Sequence, residues 1–218
     1  MLRRAYLAAV ALLLFAVPQL AAQDQAAVCE NMMQAEVGYW AEFNLEGTSA
    51  EDVSSLRFAL IERAGETNPN WYEFHAETDQ GPVTIQMDVP DWPFEASQVA
   101  GMILKAPGQP AMRMPQEMIA MMQAQMGDNP MLDIAEACTT AEGVGQESVS
   151  VPAGSFDAFH IREAEENADV WLSEDIPFGV IKVSAPDGTT MELVGYGTDA
   201  TSGITEEPQT MPGMGGMN

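Results

Sequence analysis

The stretch Val149–Gly197 reads VSVPAGSFDAFHIREAEENADVWLSEDIPFGVIKVSAPDGTTMELVGYG, and it decides the fold. Apolar and polar residues alternate along four runs. Three clusters of turn-forming residues separate the runs: Pro-Ala-Gly, Glu-Glu-Asn-Ala-Asp and Ala-Pro-Asp-Gly. Alternating runs joined by such turns are typical of antiparallel strands in a meander. This part of the chain is therefore predicted to form an antiparallel sheet.

The N-terminal half continues the pattern in shorter segments. Apolar runs bounded by turn residues predict strands at residues 38–45, 55–63, 71–78, 83–89 and 99–105. The run at 71–78 shows how the faces divide, because Tyr72 and Phe74 fall on one side and Glu73 and His75 on the other. Successive hairpins without long helices between them favour one antiparallel sheet.

Four segments of the sequence resemble a known group of proteins. They are GMILKAPGQPAMRMPQEMIAMM (101–122), VPAGSFDAFHI (151–161), DVWLSEDIPFGVIKV (169–183) and GTTMELVGYG (188–197). Together they resemble exported bacterial domains of unknown function related to the lipoprotein-localisation carriers (LolA/LolB-like). The resemblance implies an α+β fold, a curved antiparallel β-sheet or half-barrel with a few helices on its concave face. Characterised members of this superfamily hold acyl chains or lipoproteins in the apolar concavity.

The two ends of the chain differ from its middle. Residues 1–22 combine the charged start MLRR, an apolar run and a small-residue end, which predicts a secretory signal peptide cleaved after Ala22. No later segment is long and apolar enough to span a membrane. Residues 23–200 are predicted to form a single domain and residues 201–218 a disordered Met/Gly-rich tail. We therefore expect a periplasmic or secreted protein.

The charge of the chain is strongly negative. It has 8 basic and 33 acidic residues. Cleavage would remove Arg3 and Arg4 and no acidic residue, which leaves a net charge of −27. This charge excludes nucleic acid as a partner, because phosphate binding needs basic residues. The acidic residues are scattered, which favours a solvated surface suited to a salt-rich habitat over a cluster that captures cations.

The chain has two cysteines, Cys29 and Cys138. In an exported protein such a pair usually forms a disulfide. Neither cysteine lies in a C-x-x-C redox motif, which favours a structural disulfide over a reactive thiol.

Motifs for enzymatic chemistry are missing from the sequence. It contains no G-x-S-x-G, no H-E-x-x-H and no phosphate-binding glycine loop. His75 and His160 are the two histidines, and both lie in phase with charged neighbours, which favours solvent-facing or hydrogen-bonded rings. Since no set of metal ligands is recognisable either, we expect no enzyme, no cofactor and no metal site built on histidine and carboxylates.

Methionine is unusually frequent, with 16 residues. Residues 115–126 are predicted to form a helix in which Met118, Met122 and Met126 recur at i, i+4 and i+8, beside Ile119 and Met121. A methionine-rich core is one explanation. An adaptable apolar binding surface is a second. The third is Cu(I) binding by thioethers, also in the segments Met112-x-Met114 and Met211–Met217.

The sequence thus predicts non-enzymatic binding of an apolar small molecule, such as an acyl chain or a lipoprotein tail, on the concave face of the sheet. The alternative is a periplasmic Cu(I)-binding protein that uses its methionine-rich segments. The candidate lining residues are the ones that alternation or helical spacing places toward that face: Phe58, Leu60, Tyr72, Phe74, Met118, Met122, Val170 and Leu172.

Overall fold

The structure is a computed structural model. It describes residues 25, 28–30, 35–47, 52–90, 96–126, 138, 140–163 and 167–211. The predicted signal peptide, residues 1–22, lies outside the described residues.

The described residues form one mostly antiparallel sheet of 12 strands, open and curled. The strands are β1 (Trp40–Glu46), β2 (Val53–Glu62), β3 (Asn70–Thr78), β4 (Gly81–Asp88), β5 (Gly101–Lys105), β6 (Met112–Arg113), β7 (Glu142–Val151), β8 (Gly154–Arg162), β9 (Asp169–Leu172), β10 (Val180–Ser184), β11 (Thr190–Gly197) and β12 (Gln209–Thr210). The prediction of an antiparallel sheet is confirmed. The assignment to the α+β class needs correction, because the described residues are dominated by the sheet.

Two meanders make up the sheet. Strands β1 to β6 pair in sequence order, and so do β7 to β11. The meanders join where β1 pairs with β11, antiparallel, from Trp40 opposite Gly197 to Glu46 opposite Thr190. Strand β12 pairs with β6 and is parallel to it. The meander predicted for residues 149–197 is therefore the C-terminal half of this sheet, with β7 as its first strand.

The main helix is α1 (Gln116–Met126), which confirms the prediction for residues 115–126. Pro115 precedes its first residue and accepts backbone hydrogen bonds from Met118 and Ile119. Residues 25 and 28–30 are also helical, and residues 96–98 form one 3-10 turn. No helix in the described part of the chain is long and apolar enough to cross a membrane.

The main apolar cluster defines the inner, concave face of the sheet. Phe43 and Leu193 lie opposite each other on β1 and β11, with exposed fractions of 1% and 0%. Ile119 of α1 belongs to the same cluster, so the helix packs on this face. The tip of the β7–β8 hairpin also returns to the sheet, where the backbone N–H of Ala153 donates to the carbonyl oxygen of Leu193 at 3.0 Å.

The disulfide predicted between Cys29 and Cys138 is confirmed, with a Cα–Cα distance of 5.8 Å. Both cysteines are buried in a second apolar cluster with Phe159, Ile161 and Leu172 of β8 and β9. The disulfide therefore fixes the N-terminal helical residues to the start of the second meander.

A C-terminal segment, residues 198–211, lies on the outer face. Ile204 is 3% exposed and packs in a third apolar cluster with Ile61, Trp71 and Ile103. The Glu73 carboxylate beneath it is 2% exposed and accepts hydrogen bonds from the Gly203 backbone N–H at 2.9 Å and from Gln86 at 2.5 Å. The predicted disordered tail began at residue 201, whereas the chain follows the sheet as far as residue 211; residues 212–218 lie outside the described residues.

The glycines of the GYG motif have a packing role. Trp40 lies directly opposite Gly197. A Cβ atom on Gly197 would come within 2.7 Å of Trp40 Nε1, and one on Gly195 within 3.3 Å of the ring. The indole N–H donates to Asp199 Oδ1 at 2.8 Å. The two glycines thus leave room for an indole ring that spans the junction between the two meanders.

Candidate apolar binding site

One cross-strand row of side chains on the inner face is fully buried. Leu60, Tyr72, Met87 and Met102 lie opposite one another on β2, β3, β4 and β5. Their exposed fractions are between 4% and 6%. This row marks one end of the concavity, which we call the covered end.

The covered end is closed by α1 and by the loop between β9 and β10. Phe178 of this loop contacts the row at Tyr72, with 6.5 Å between ring centroids, and its ring also lies 6.4 Å from that of Phe58. Phe178 has a φ of 62°, which is rare for a bulky residue and strained. Gly179 follows with a φ of 73°. The loop therefore adopts an unusual backbone conformation that brings an aromatic ring onto the inner face.

Toward the opposite end of the same strands, apolar side chains of the inner face are only half-buried. Partners across a sheet share a face, so the strand registers identify two such rows, one in each meander. Together the rows form what we call the half-buried band: Phe58, Phe74, Ile85 and Leu104 in the first meander, and Leu45, Met191, Val183 and Val170 across the junction into the second.

Aromatic rings line the centre of this band. The Phe58 ring packs edge-to-face on Phe74 at 5.0 Å between centroids and on Phe43 at 5.9 Å. Such edge contacts stabilise aromatic pairs by about 0.5–1.5 kcal/mol beyond their buried area. The first row of the band therefore has a rigid aromatic centre that packs on Phe43 of β1.

The predicted lining residues fall on the inner face, at two levels. Leu60 and Tyr72 are in the buried row, whereas Phe58 and Phe74 are in the half-buried band. Val170 and Leu172 share that face in the second meander, next to the disulfide, where Leu172 is 1% exposed. The structure brings these residues to one face, and their contact with a ligand stays a prediction.

The methionines of α1 differ in exposure. Ile119, at 1% exposure, anchors the helix, and Met121 is 44% exposed. Met122 is half-buried and packs on the main cluster, and Met118 is half-buried. The side chain of Met126 lies outside the described residues. Met121 is therefore turned away from the side on which Ile119 and Met122 pack.

A polar group on β7, β8 and β9 was not recognised from the sequence. His160 is 8% exposed, and its ring stacks on Trp171 at 4.5 Å between centroids. Its Nδ1 lies 2.9 Å from Glu147 Oε1, and its Nε2 lies 2.9 Å from Asp169 Oδ1. Arg162 donates to the same Asp169 oxygen from Nε and Nη2, at 2.9 and 2.8 Å. The three strands β7, β8 and β9 are thus connected through one imidazole.

These contacts alter the acidity of Asp169. The hydrogen bond from His160 is the main cause that lowers the pKa of Asp169, and Arg162 lowers it further. A polar cavity of about 410 Å³ lies beside the group and is lined by Arg162, Asn167, Asp169, Ser184, Ala185 and Pro186. The sequence hints at these contacts only through strand alternation, which places His160 and Arg162 on one face of β8 and Asp169 and Trp171 on one face of β9. It does not show which carboxylates of the neighbouring strands lie opposite the imidazole.

The charges of the described residues limit which ligands fit. Every Lys and Arg among them pairs with a carboxylate of the chain: Arg57–Glu73, Arg63–Glu66, Arg113–Glu66, Lys105–Glu206, Arg162–Asp169 and Lys182–Glu192. With 33 acidic residues and these cations paired, the protein repels anions. No group of three or more His, Cys, Asp or Glu side chains in the described part of the chain is placed to hold a metal ion.

No protein-family model matches the chain, and no curated protein is a significant match. Solved structures with a similar shape include MucB in its complex with MucA(peri), with 12% identity and a TM-score of 0.36; the match covers 86% of this chain and 59% of MucB, so this chain spans less than two thirds of that protein. The lipoprotein LppX of Mycobacterium tuberculosis has 10% identity and a TM-score of 0.42, over 87% of this chain and 100% of LppX. A DUF1329 family protein of Desulfovibrio piger has 10% identity and a TM-score of 0.32, over 84% and 93%.

Proposed function

We propose that the protein binds an apolar chain, such as an acyl chain or a lipoprotein tail, along the half-buried band of the inner face, without enzymatic chemistry. The observation that supports this function is the change in burial along the strands. Leu60 and Tyr72 are fully covered, whereas Phe58 and Phe74, two residues away on the same face, are not. A half-covered apolar surface is stabilised when a ligand completes its burial.

The charge distribution narrows the choice of headgroup. The cations of the described residues are already paired with carboxylates, and the chain is strongly acidic. An anionic headgroup would be repelled. The ligand therefore carries an uncharged or cationic headgroup, as an acylglycerol or the acylated end of a lipoprotein does.

The proposed compartment is the periplasm or the exterior of the cell. The disulfide between Cys29 and Cys138 supports an exported protein, because such bonds persist in oxidising compartments.

Two adjacent positions on β1 offer a matched test. Leu45 belongs to the half-buried band, and Asn44 is exposed on the opposite face. We expect Leu45→Asp to weaken binding of a fluorescent monoacylglycerol by at least about tenfold, since burying a leucine-sized apolar contact contributes ~1.5–3 kcal/mol. The control Asn44→Asp adds the same charge and should leave affinity almost unchanged. Equal affinities of both variants and the unmutated protein, in fluorescence titration, would contradict this site.

Cu(I) binding remains the second candidate, because four methionines belong to the main cluster or pack against it. Met87 and Met102 are buried in the main cluster, and Met114 and Met122 pack against it. Thioethers select Cu(I). Replacing Met114 and Met122 by Leu keeps the apolar volume and removes two sulfurs, so a Cu(I) site would lose most of its affinity while the fold persists. The exposed Met121→Leu serves as the control. Undiminished Cu(I) affinity in the double variant would eliminate a site at the covered end, and no Cu(I) binding by the unmutated protein would eliminate this alternative altogether.

A further inference from the structure

The two edges of the sheet differ in length. One edge is β12, which has two residues, whereas the other is β7, which has ten. A long edge strand presents unpaired backbone groups and is a template for pairing with another chain. Natural proteins protect such edges with lysine, proline or bulges. Strand β7 contains no Lys or Pro, and its one irregularity lies between Gly143 and Gly145, next to Val144, which is 51% exposed.

The register of the hairpin shows which amides face outward. Val151 and Gly154 flank a two-residue loop and therefore exchange hydrogen bonds with each other. Pairs alternate along an antiparallel ladder. Val149 and Glu147 are consequently bonded to β8, whereas the backbone N–H and C=O groups of Ser148 and Ser150 point away from it. In the described residues no backbone group pairs with this outer side.

The side chains of this edge suit an added strand. Val149 and Val151 pack against the main cluster, on the same face of β7 as Glu147, and Ser148 and Ser150 are exposed on the other face. A strand added here would continue the apolar row of Val149 and Val151 with every second residue and expose the residues between them. The edge available for this runs from Gln146 to Ser150, because the bulge interrupts it on one side and the hairpin tip, bonded to Leu193, on the other.

Charge decides what can dock on this edge. Glu142 and Glu147 lie on β7 itself, and Asp157 lies opposite Ser148 on β8. A second copy of the chain would bring a formal charge of −25 against the same charge, and like charges placed opposite each other across strands are destabilising. A segment rich in lysine or arginine would instead be attracted by this net charge and by Glu147, the acidic residue within Gln146–Ser150.

We propose that β7 is a docking edge for an extended, basic segment of another protein, which adds to the sheet as a thirteenth strand beside Gln146–Ser150. This surface is separate from the apolar band. Backbone hydrogen bonds give the affinity, and the acidic side chains select a basic partner.

The test uses a fluorescent eight-residue peptide of alternating lysine and valine, with blocked ends, titrated against the unmutated protein at low salt by anisotropy. We expect saturable binding that weakens with added NaCl. Ser148→Pro removes one outward N–H and places a ring on the outer side while leaving the bonds to β8 intact. It should reduce affinity by at least about tenfold, since it removes a hydrogen bond and obstructs its neighbours. Ser148→Ala is the matched control and should bind like the unmutated protein.

Two further measurements keep the proposal open to refutation if Ser148→Pro fails to fold. The same peptide with N-methyl groups on alternate residues should not bind, because it cannot complete a ladder, and a glutamate–valine peptide should not bind because of its charge. Equal binding of the methylated and unmethylated peptides would mean that only overall charge attracts them, which overturns the proposal. Failure of the lysine–valine peptide to bind would also overturn the proposal. A dimer in analytical ultracentrifugation that Ser148→Pro abolishes would overturn it too, since the edge would then bind a second copy of the chain.

Discussion

Replacing Ile204 by Ala tests whether the C-terminal segment is a structural part of the domain. Ile204 is 3% exposed and packs against Ile61, Trp71 and Ile103 on the outer face. The substitution removes three carbon atoms, and the lost transfer free energy is ~0.8 kcal/mol for each. A residual cavity adds to this, although a surface segment can partly settle into it. We expect the free energy of unfolding to fall by about 2.5–3 kcal/mol.

Urea denaturation followed by tryptophan fluorescence measures this change. With an m value of ~2 kcal/mol/M, the midpoint should move down by somewhat more than ~1 M while m stays constant. Thr205→Ala is the matched control, because Thr205 is the next residue and is exposed, and it should change stability by less than ~0.5 kcal/mol. If both variants unfold at the same urea concentration as the unmutated protein, the segment does not contribute to the core and the reasoning fails.

Four other changes have expected outcomes. Replacing Cys29 and Cys138 by Ala opens a loop spanning 109 residues and should lower the free energy of unfolding by about 5 kcal/mol in the chain-entropy model; a loss under ~1 kcal/mol in urea titration would contradict it. Gly197→Ala places a Cβ 2.7 Å from Trp40 Nε1 and should cost ~1–3 kcal/mol by overpacking, and an unchanged thermal midpoint would refute this role. Because its folded-state pKa is lowered, ionised Asp169 contributes stability above its unfolded pKa of about 4, and that contribution disappears as pH falls through the folded value; Asp169→Asn should therefore make stability flatter with pH in that acidic window, and identical pH profiles would count against it. Since the chain carries 33 acidic residues against 8 basic ones, the melting temperature should rise from low to molar NaCl, and a flat or falling curve would mean that the acidic residues are locally compensated.

Alternation predicted most strands because each one has a buried and a polar face. Phe58 and Leu60 alternate with Arg57 and Ala59, so the pattern gave both the strand and its inner face. The short strands carry no such signal. Strand β6 is only Met112–Arg113, and two residues cannot show a period of two. In the C-terminal segment Ile204 is a lone apolar residue among polar ones, and local pattern cannot reveal that it packs against Trp71.

Helical spacing predicted where α1 lies but not how it is rotated. Met118 and Met122 suggested one inward stripe, yet Ile119 is the residue that the sheet covers most completely. Every residue from Met118 to Met122 is apolar, so packing against the sheet, and not periodicity, sets the rotation. The contacts of His160 escaped prediction for a related reason, since strand register determines which carboxylates meet its ring.

The pairing of β1 with β11 has a consequence for the order in which the chain can fold during synthesis. Between the end of β1 at Glu46 and the start of β11 at Thr190 lie most of the other strands. At a synthesis rate of ~5–20 residues per second, roughly 7–30 s pass between the synthesis of β1 and that of β11, its second neighbour in the sheet. Throughout that interval the first meander has Phe43 at an unpaired margin, open to the wrong partners. Local hairpins can form early, but the junction between the two meanders closes only after β11 has been synthesised.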